Sequence, residues 1–579
     1  MTRRLLALAF TAFVALTLWA QEAQKREMRT VWIATVSNID WPQTRGTGTA
    51  TINKQKKQLT DLLDGFVKAN MNSVCLQVRP MADALYKSSY EPWSSYLTGT
   101  RGQDPGWDPL AFAVEECHKR GLEINAWVNP YRFSNSSGND CNTAIDQNLK
   151  NSGILMQVGN RIVFNPALKA SRDHLLKVCK EMIQNYDIDG IIFDDYFYPG
   201  GGTPEDSSAP DYQLYTQSNS GMSIGDWRRA NVNQMVKDMW DMVQATKPYV
   251  KFSIGPAGVA GQRSTSATKH GVVPVDEYCR ASDWQYTTIY SDPLAWLEEG
   301  TIDYISPQLY WKTNHTTNPF GPLTNWWSYI AEHFGRHHYA SHNIYFMEKT
   351  NTKADWDEIL QQIRYSRQYN RQNAPGVNFY SAKYIDGPTC KGFADYLSQT
   401  LFTHKALEPA MPWHSKTNYD APANLAYSGG TLSWTGVNKK LVRYSVYAVP
   451  LTVTLDEAQS QAFDGIKSDY LVGVTYTPSF KLDASLQSGY WYAVCVVDGW
   501  NNEFAPAFYN LATEYADKVT LVSPIAGTAA SWNQQFAWTA ADGATYELQI
   551  SDDASFGNVL IQRKQITSNT TTIDLGDLA

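Results

Sequence analysis

Between residues 27 and 405 one pattern recurs: a short apolar run, often rich in β-branched side chains, then a longer stretch whose apolar residues return at helical spacing. The runs at 30–36, 72–78, 122–128, 189–194, 250–254, 302–309, 342–346 and 376–380 predict strands. The stretches at 54–70, 109–120, 171–186, 227–246, 293–299, 323–334, 354–369 and 393–402 predict helices. Strands buried on both faces, each followed by a helix, are the signature of a parallel sheet covered by its crossover helices. Eight such units are the count that closes a (β/α)8 barrel of TIM type. The rival is an open doubly wound sheet, but no glycine-rich phosphate loop follows any of the runs. The expected fold class is α/β, with the barrel over 27–410.

Beyond the barrel the texture changes. Pro409-Ala-Met-Pro-Trp413 ends it, and Asp420-Ala-Pro-Ala-Asn424 reads as a linker. From 420 to 512, short alternating runs separated by Gly, Asn and Asp predict a β-sandwich of fibronectin type III or Ig-like character. A second sandwich module, read as incomplete, is expected over 518–579. Such modules serve as spacers or binders more often than as catalysts. At the other end, Arg3 and Arg4 precede an uncharged apolar stretch reaching Trp19, so residues 1–20 read as a secretory signal cut near Ala20. The stretch is short for a membrane span. The expectation is an exported chain, periplasmic or secreted, with no stable membrane insertion once the signal is removed.

A net charge of −8 and the lack of any basic run exclude a nucleic-acid surface. The chain holds 20 Trp and 34 Tyr, enough that some should stand exposed as stacking surfaces, for which sugar rings are the neutral partner. Seven scattered cysteines (75, 117, 141, 179, 279, 390, 495) include no C-x-x-C pair and read as small buried residues.

The chemistry centres on Tyr186-Asp-Ile-Asp-Gly-Ile-Ile-Phe-Asp-Asp-Tyr-Phe-Tyr-Pro199. Ile191, Ile192 and Phe193 form the strand; Asp194 and Asp195 sit at its carboxyl end, the rim where barrels place their chemistry. Polar and aromatic residues gather beyond the other strand ends: Asp40 and Trp41, Gln77 and Arg79, Asn129 and Arg132, Gln308, Tyr310 and Trp311, with Tyr196 and Tyr198 behind the acids. The ten His residues show no H-x-x-x-H pair on a predicted helix, and no G-x-S-x-G elbow is present, so neither a metal, another cofactor nor a serine nucleophile is expected. Carboxylate chemistry on an aromatic-lined barrel points to glycoside cleavage, with a glycan as the partner. Asp194 is the expected nucleophile or charge stabiliser. Asp195 becomes the acid if its neighbour's charge raises its pKa. Adjacent residues on a regular strand face opposite ways, so both enter the site only if the strand has already broken. Asp40 is therefore kept as a further catalytic candidate, ahead of Glu116, Glu348 and Asp292, the last read as a helix N-cap. For Arg79 and Arg132 two roles stay open: holding a substrate carboxylate, or fixing Asp194 by a bidentate pair.

Several motifs in order also resemble a known family. They are Arg29-Thr-Val-Trp-Ile-Ala-Thr-Val with Asp40-Trp-Pro42; Gln77-Val-Arg-Pro80; Pro92-Trp-Ser94 and Leu97-Thr-Gly99; Asp108-Pro-Leu110 and His118-Lys-Arg-Gly121; Ala126-Trp-Val-Asn-Pro-Tyr-Arg132; Asp189-Gly190 and Asp194-Asp-Tyr-Phe-Tyr-Pro199; Asp303-Tyr-Ile-Ser-Pro-Gln-Leu-Tyr-Trp311; and Trp326-Trp327. Together they resemble the glycoside-hydrolase-like family 10 proteins over roughly residues 26–405. The resemblance implies a TIM-type barrel in exported bacterial proteins and, for at least some members, cleavage of peptidoglycan strands stripped of their stem peptides. Position by position it implies a groove of Asp194, Asp195, Arg79, Asn129, Arg132, Gln308, Tyr310 and Trp311. Residues 189–196 are also spaced like the D-G-x-x-x-D-x-E strand of chitinase-like barrels, with Tyr196 in place of the last acid. On an N-acetylated glycan that similarity implies a substrate-assisted route. A barrel that binds carbohydrate without cleaving it is the reading from another class.

Overall fold

A computed structural model describes residues 24–575, apart from 137, 139, 260–264, 275–282, 415–417, 438–441, 461–464, 511–519, 525–530, 540–545 and 554–557. The expected signal at 1–20 and Cys279 lie outside the described residues. Ten strand segments form one curled, all-parallel sheet: β1 Met28–Ile33, β2 Ser73–Arg79, β3 Glu123–Val128, β4 Gly190–Phe193, β5 Lys251–Ile254, β6 Tyr304–Ile305, β7 Gln308–Leu309, β8 His337–His338, β9 Ala340–Asn343 and β10 Gly376–Tyr380. β6 pairs with β8, and β7 with β9. With Ser306-Pro307 and Tyr339 as interruptions of two longer strands, the segments make eight staves in chain order. The last stave, β10, pairs with β1 from Met28↔Gly376 to Trp32↔Tyr380. Helices follow the staves in turn: α1 Thr49–Lys68, α2 Pro109–Lys119, α3 Lys169–Asn185, α4 Ile224–Thr246, α5 Pro293–Glu298, α6 Phe320–His333, α7 Lys353–Gln368 and α8 Phe393–Thr400.

Local chemistry sets these starts. Asp108 caps α2 by accepting from Ala111 N, with Pro109 as the first helical residue. Thr352 and Asp355 form a reciprocal capping box on α7. The strand period then sorts the side chains. Ile33, Val74, Leu76, Ile124, Ile191, Phe193, Phe252 and Phe379 join Leu59, Leu63, Leu110, Leu175, Met182 and Met239 in the layer between sheet and helices. Met28, Trp32, Cys75, Trp127, Ile192, Tyr304 and Tyr339 point the other way, into the sheet's hollow. Polar groups share that interior and bond one another: Trp32 Nε1 donates to Ser341 Oγ at 3.1 Å, and Asn378 Nδ2 to Ser306 Oγ at 3.2 Å.

The seventh stave corrects the expected strand at 342–346. It runs from His337 to Asn343, and its two leading histidines are buried. Burial pushes His338 and His342 down to about 3, so these rings stand neutral and pack as core. The expected loop at 129–170 contains its own antiparallel sheet, Arg132–Ser134, Leu155–Val158 and Arg161–Phe164. The six described cysteines are free and buried.

Among the described residues after 420 every strand pairing is antiparallel. Ala423–Ser428, Thr431–Thr435 and Ser479–Lys481 form one sheet. Leu471–Thr475, Arg443–Pro450, Tyr490–Val497 and Ala507–Asn510 form a second. Leu432, Trp434, Tyr444, Val446, Tyr492 and Val494 pack between them. Two further sheets follow, Leu521–Ser523 with Asn533–Trp538 and Thr570–Asp574, and Tyr546–Ser551 with Val559–Ile566. The first module is not tethered at a distance. Its Arg443 reaches Glu123 at 2.8 Å, where β3 begins, and Lys251 at the start of β5 holds the same carboxylate at 2.6 Å. Tyr476 donates to Asp189 at 3.0 Å and stacks on His118, ring centroids 3.7 Å apart. Trp500 joins Met411 and Trp413 against the interior cluster. The module closes the amino-terminal floor of the sheet, and the stave exits open on the opposite side.

Candidate active site

Phe193 is the last laddered residue of β4, paired with Val128 and Ile254. Asp194 and Asp195 lie just past it, where regular alternation no longer governs them. Asp194 turns toward β3: Trp127 Nε1 donates to its Oδ2 at 3.1 Å and Asn129 Nδ2 to its Oδ1 at 2.9 Å. Asp195 turns toward β7, where Gln308 is its hydrogen-bonding partner. Gln308 is itself oriented by donating to Gly255 O at 2.9 Å.

Their electrostatics differ. Burial raises Asp194 above the ordinary carboxylate range, while Arg132 and the Asn129 and Trp127 donors pull it back. Asp195 is pushed up to about 7, by burial first and by the charge of Asp194 second, with only Gln308 and weaker contributions opposing. One carboxyl thus has donors that favour its anion, and the other is poised to carry a proton near neutrality. That division is what an acid and a charge-stabilising partner require.

Asn129 links the pair to the loop beyond β3, its Oδ1 accepting from Arg132 N at 2.8 Å. The Arg132 guanidinium lies 4.2 Å from the ring centroid of Tyr196, which is half exposed. Across the mouth Tyr310 stacks on Tyr380, centroids 5.5 Å apart at 29°. The Tyr310 hydroxyl is raised well above its ordinary value by burial and by nearby Tyr380, Asp195, Tyr196 and Tyr345. Trp311 is half-buried and packs against the outer core. The structure therefore brings Asp194, Asp195, Asn129, Arg132, Tyr196, Gln308 and Tyr310 into one mouth.

Four expected groove residues lie behind it. Arg79 is fully buried and forks onto Glu91 at 2.8 and 2.5 Å, so it neither holds a substrate nor fixes Asp194 directly. Its Nη1 also donates to Asn129 O, bracing the backbone that carries Asn129. Gln77 accepts from Thr35 N and Val36 N at 3.0 and 2.8 Å, shaping the turn after β1. Trp41 is core: its Nε1 donates to Gln55 O at 2.9 Å. Tyr198 is buried against Tyr290 and donates to Asp211 at 3.2 Å. Asp40 is also a brace. It accepts from Ala34 N, Ser381 Oγ and Lys383 N at 2.7, 2.8 and 3.1 Å, tying the exits of β1 and β10 together, and burial raises it to about 6. With both oxygens occupied by the fold, it is poorly placed to serve a substrate.

Among the other acids, Glu116 pairs with Lys119 and Arg120 on the surface of α2, and Glu348 accepts from Tyr384. Asp292 stands at the N-cap position of α5 but makes no cap bond; its carboxylate serves His270, Lys269 and Ser266 instead. Sequence reasoning missed Tyr345 and Tyr380. Tyr380 ends a stave, the same signal that singled out Tyr310. Among the described residues no cluster of His, Cys, Asp and Glu has the arrangement to hold a metal, and no helix is long and apolar enough to cross a membrane.

Residues 27–357 match the glycosyl hydrolase-like 10 family. The chain belongs to that family. It is a glycoside hydrolase. It is 38% identical over 431 residues to the glycosyl hydrolase YngK of Bacillus subtilis, covering 72% of this chain and 80% of that one. It is 31% identical over 352 residues to the glycosyl hydrolase DigH of Escherichia coli K12, covering 58% and 77%. Among solved structures, the PgaB (BpsB) glycoside hydrolase domain of Bordetella bronchiseptica is similar at a TM-score of 0.42 and 11% identity, covering 64% of this chain and 99% of that one.

Proposed function

We propose that this glycoside hydrolase is an exported enzyme that cuts a bacterial cell-wall glycan, peptidoglycan strands lacking stem peptides, at the mouth of a closed (β/α)8 barrel. The observation that carries the mechanism is the split between two adjacent carboxyls, Asp195 raised to about 7 and Asp194 held by Trp127 and Asn129. Asp195 protonates the leaving oxygen. Asp194, anionic beside Arg132, attacks or stabilises the sugar cation; on an N-acetylated sugar it orients the acetamido group that takes the nucleophile's place. Tyr196, Tyr310, Tyr345 and Tyr380 offer ring faces along the mouth. The fibronectin-like module then acts as the barrel's floor, away from the glycan.

The test is mass spectrometry of soluble products after incubating the mature protein with peptidoglycan, with and without prior amidase treatment. Saccharides released only after stem removal, and lost or cut at least about 100-fold in Asp194→Asn, are expected. Glycan affinity with no turnover in the parent would establish the binding-only reading instead.

A further inference from the structure

Arg132 departs from a rule that the other deeply buried arginines among the described residues keep. It is 9% exposed, and the other arginines buried at least as deeply, Arg29, Arg79, Arg228, Arg229, Arg367 and Arg443, each have a carboxylate within 3 Å. Among the described residues no carboxylate lies within 4.0 Å of the Arg132 guanidinium. Its neighbour there is the face of Tyr196, at 4.2 Å. Asp194 and Asp195 feel its charge through space, but neither forms an ion pair with it, and Asp194 is already held by Trp127 and Asn129. A buried guanidinium with no carboxylate in direct contact leaves its fork unpaired, and that fork matches a carboxylate in two parallel hydrogen bonds. Tyr196 fixes the plane of that fork beside the catalytic pair.

We propose that Arg132 is the receptor for a carboxylate carried by the sugar bound at the cleavage site. This rests on the cell-wall reading above and deepens it. A muramic-type sugar ends its lactyl ether in a free carboxylate when the stem peptide is gone, and in an uncharged amide when it is present. A guanidinium with no carboxylate paired to its fork at this position selects the first and leaves the second without its anchor. A uronic acid presents the same group on a different sugar.

The test compares kcat/KM for the parent, Arg132→Gln and Arg132→Lys on four substrates. These are denuded peptidoglycan strands, the same strands with carboxyls converted to methylamides, a uronic-acid polysaccharide and neutral N-acetylglucosamine oligomers. The parent should prefer free over amidated strands by at least about 10-fold, Arg132→Gln should bring that ratio close to one, and Arg132→Lys should keep part of it. Cleavage of the uronic-acid polymer alone, with the same dependence on Arg132, supports the carboxylate receptor while overturning the cell-wall reading. Equal rates on free and amidated strands overturn the receptor and leave the cell-wall reading intact. A uniform loss on all substrates in Arg132→Gln, with a shifted pH profile on the neutral oligomers, makes Arg132 a countercharge only and also overturns it. Cleavage of neutral oligomers alone, or of none of the four, overturns both.

Discussion

Asp195 shows how a single side chain is set by its surroundings. An ordinary aspartate ionises near 3.9, whereas burial and the facing charge of Asp194 push this one up to about 7. In the general-acid role proposed for it, it must be protonated, so kcat/KM should fall as pH rises above about 7. Asp194→Asn removes the second cause of the shift, and the residual activity should lose its alkaline limb at lower pH than the parent. Stability follows the same numbers. With the folded pKa above the unfolded one, stability is lost as pH climbs from about 4 toward 7 and stays lost beyond. Asp195→Asn should therefore lower activity by about 100-fold or more and yet stabilise the protein by on the order of 3 kcal/mol at pH 8, and by little at pH 4. Chemical denaturation at the two pH values, beside the rate measurement, checks both signs. An Asn variant less stable than the parent at pH 8 would contradict the assigned pKa.

At the scale of elements, the turn between α2 and β3 is shaped by a neighbour distant in sequence. Gly121 has φ +71°, and a Cβ there would stand 2.3 Å from Val474 O of the first β module. Gly99 has φ +96° with nothing within 4 Å of the same position. Gly99→Ala should cost about 1 kcal/mol for the left-handed backbone alone, and Gly121→Ala about 3 kcal/mol, the difference being the forced separation from the module. Thermal unfolding of the two variants isolates that difference. Sequence made the local half of this legible. Ile191-Ile-Phe193, Asp108-Pro109 and the apolar returns along each helix state their structure within a few residues, and the position of Asp194 and Asp195 just past a short strand followed from them. What depends on distant partners did not show. His337-His338 looks like surface until the staves on either side bury it. Arg79 and Arg132 share a local signature, a strand end with a proline close by, Pro80 after the first and Pro130 before the second. Only the position of Glu91 makes the first a brace, and only the lack of such a partner leaves the second facing the mouth.

For the molecule as a whole, the two ends of the sheet divide the labour, and the first β module belongs to the lower end. Its Arg443 is buried between Glu123 and Glu408, Tyr476 covers Asp189 and His118, and Trp500 stacks on His414, whose ring is held by Asp303 at 2.6 Å. These groups close the floor with charges that need their partners, since a buried acid left alone costs more than the pair contributes. The curled sheet with its helices and the first module should therefore unfold together, in one calorimetric transition. Arg443→Met should cost about 3–5 kcal/mol by stranding Glu408 and leaving Glu123 to Lys251 alone, and Arg443→Met with Glu408→Gln should recover part of that loss. Burial already raises Glu408 above the ordinary range, and removing Arg443 raises it further. The single variant should therefore lose more stability at pH 8 than at pH 5, because ionising Glu408 in the folded state becomes harder while the unfolded chain ionises freely. Two separate transitions in the parent, with Arg443→Met shifting only one of them, would make the module an appended domain after all and leave the parallel sheet to close its own floor.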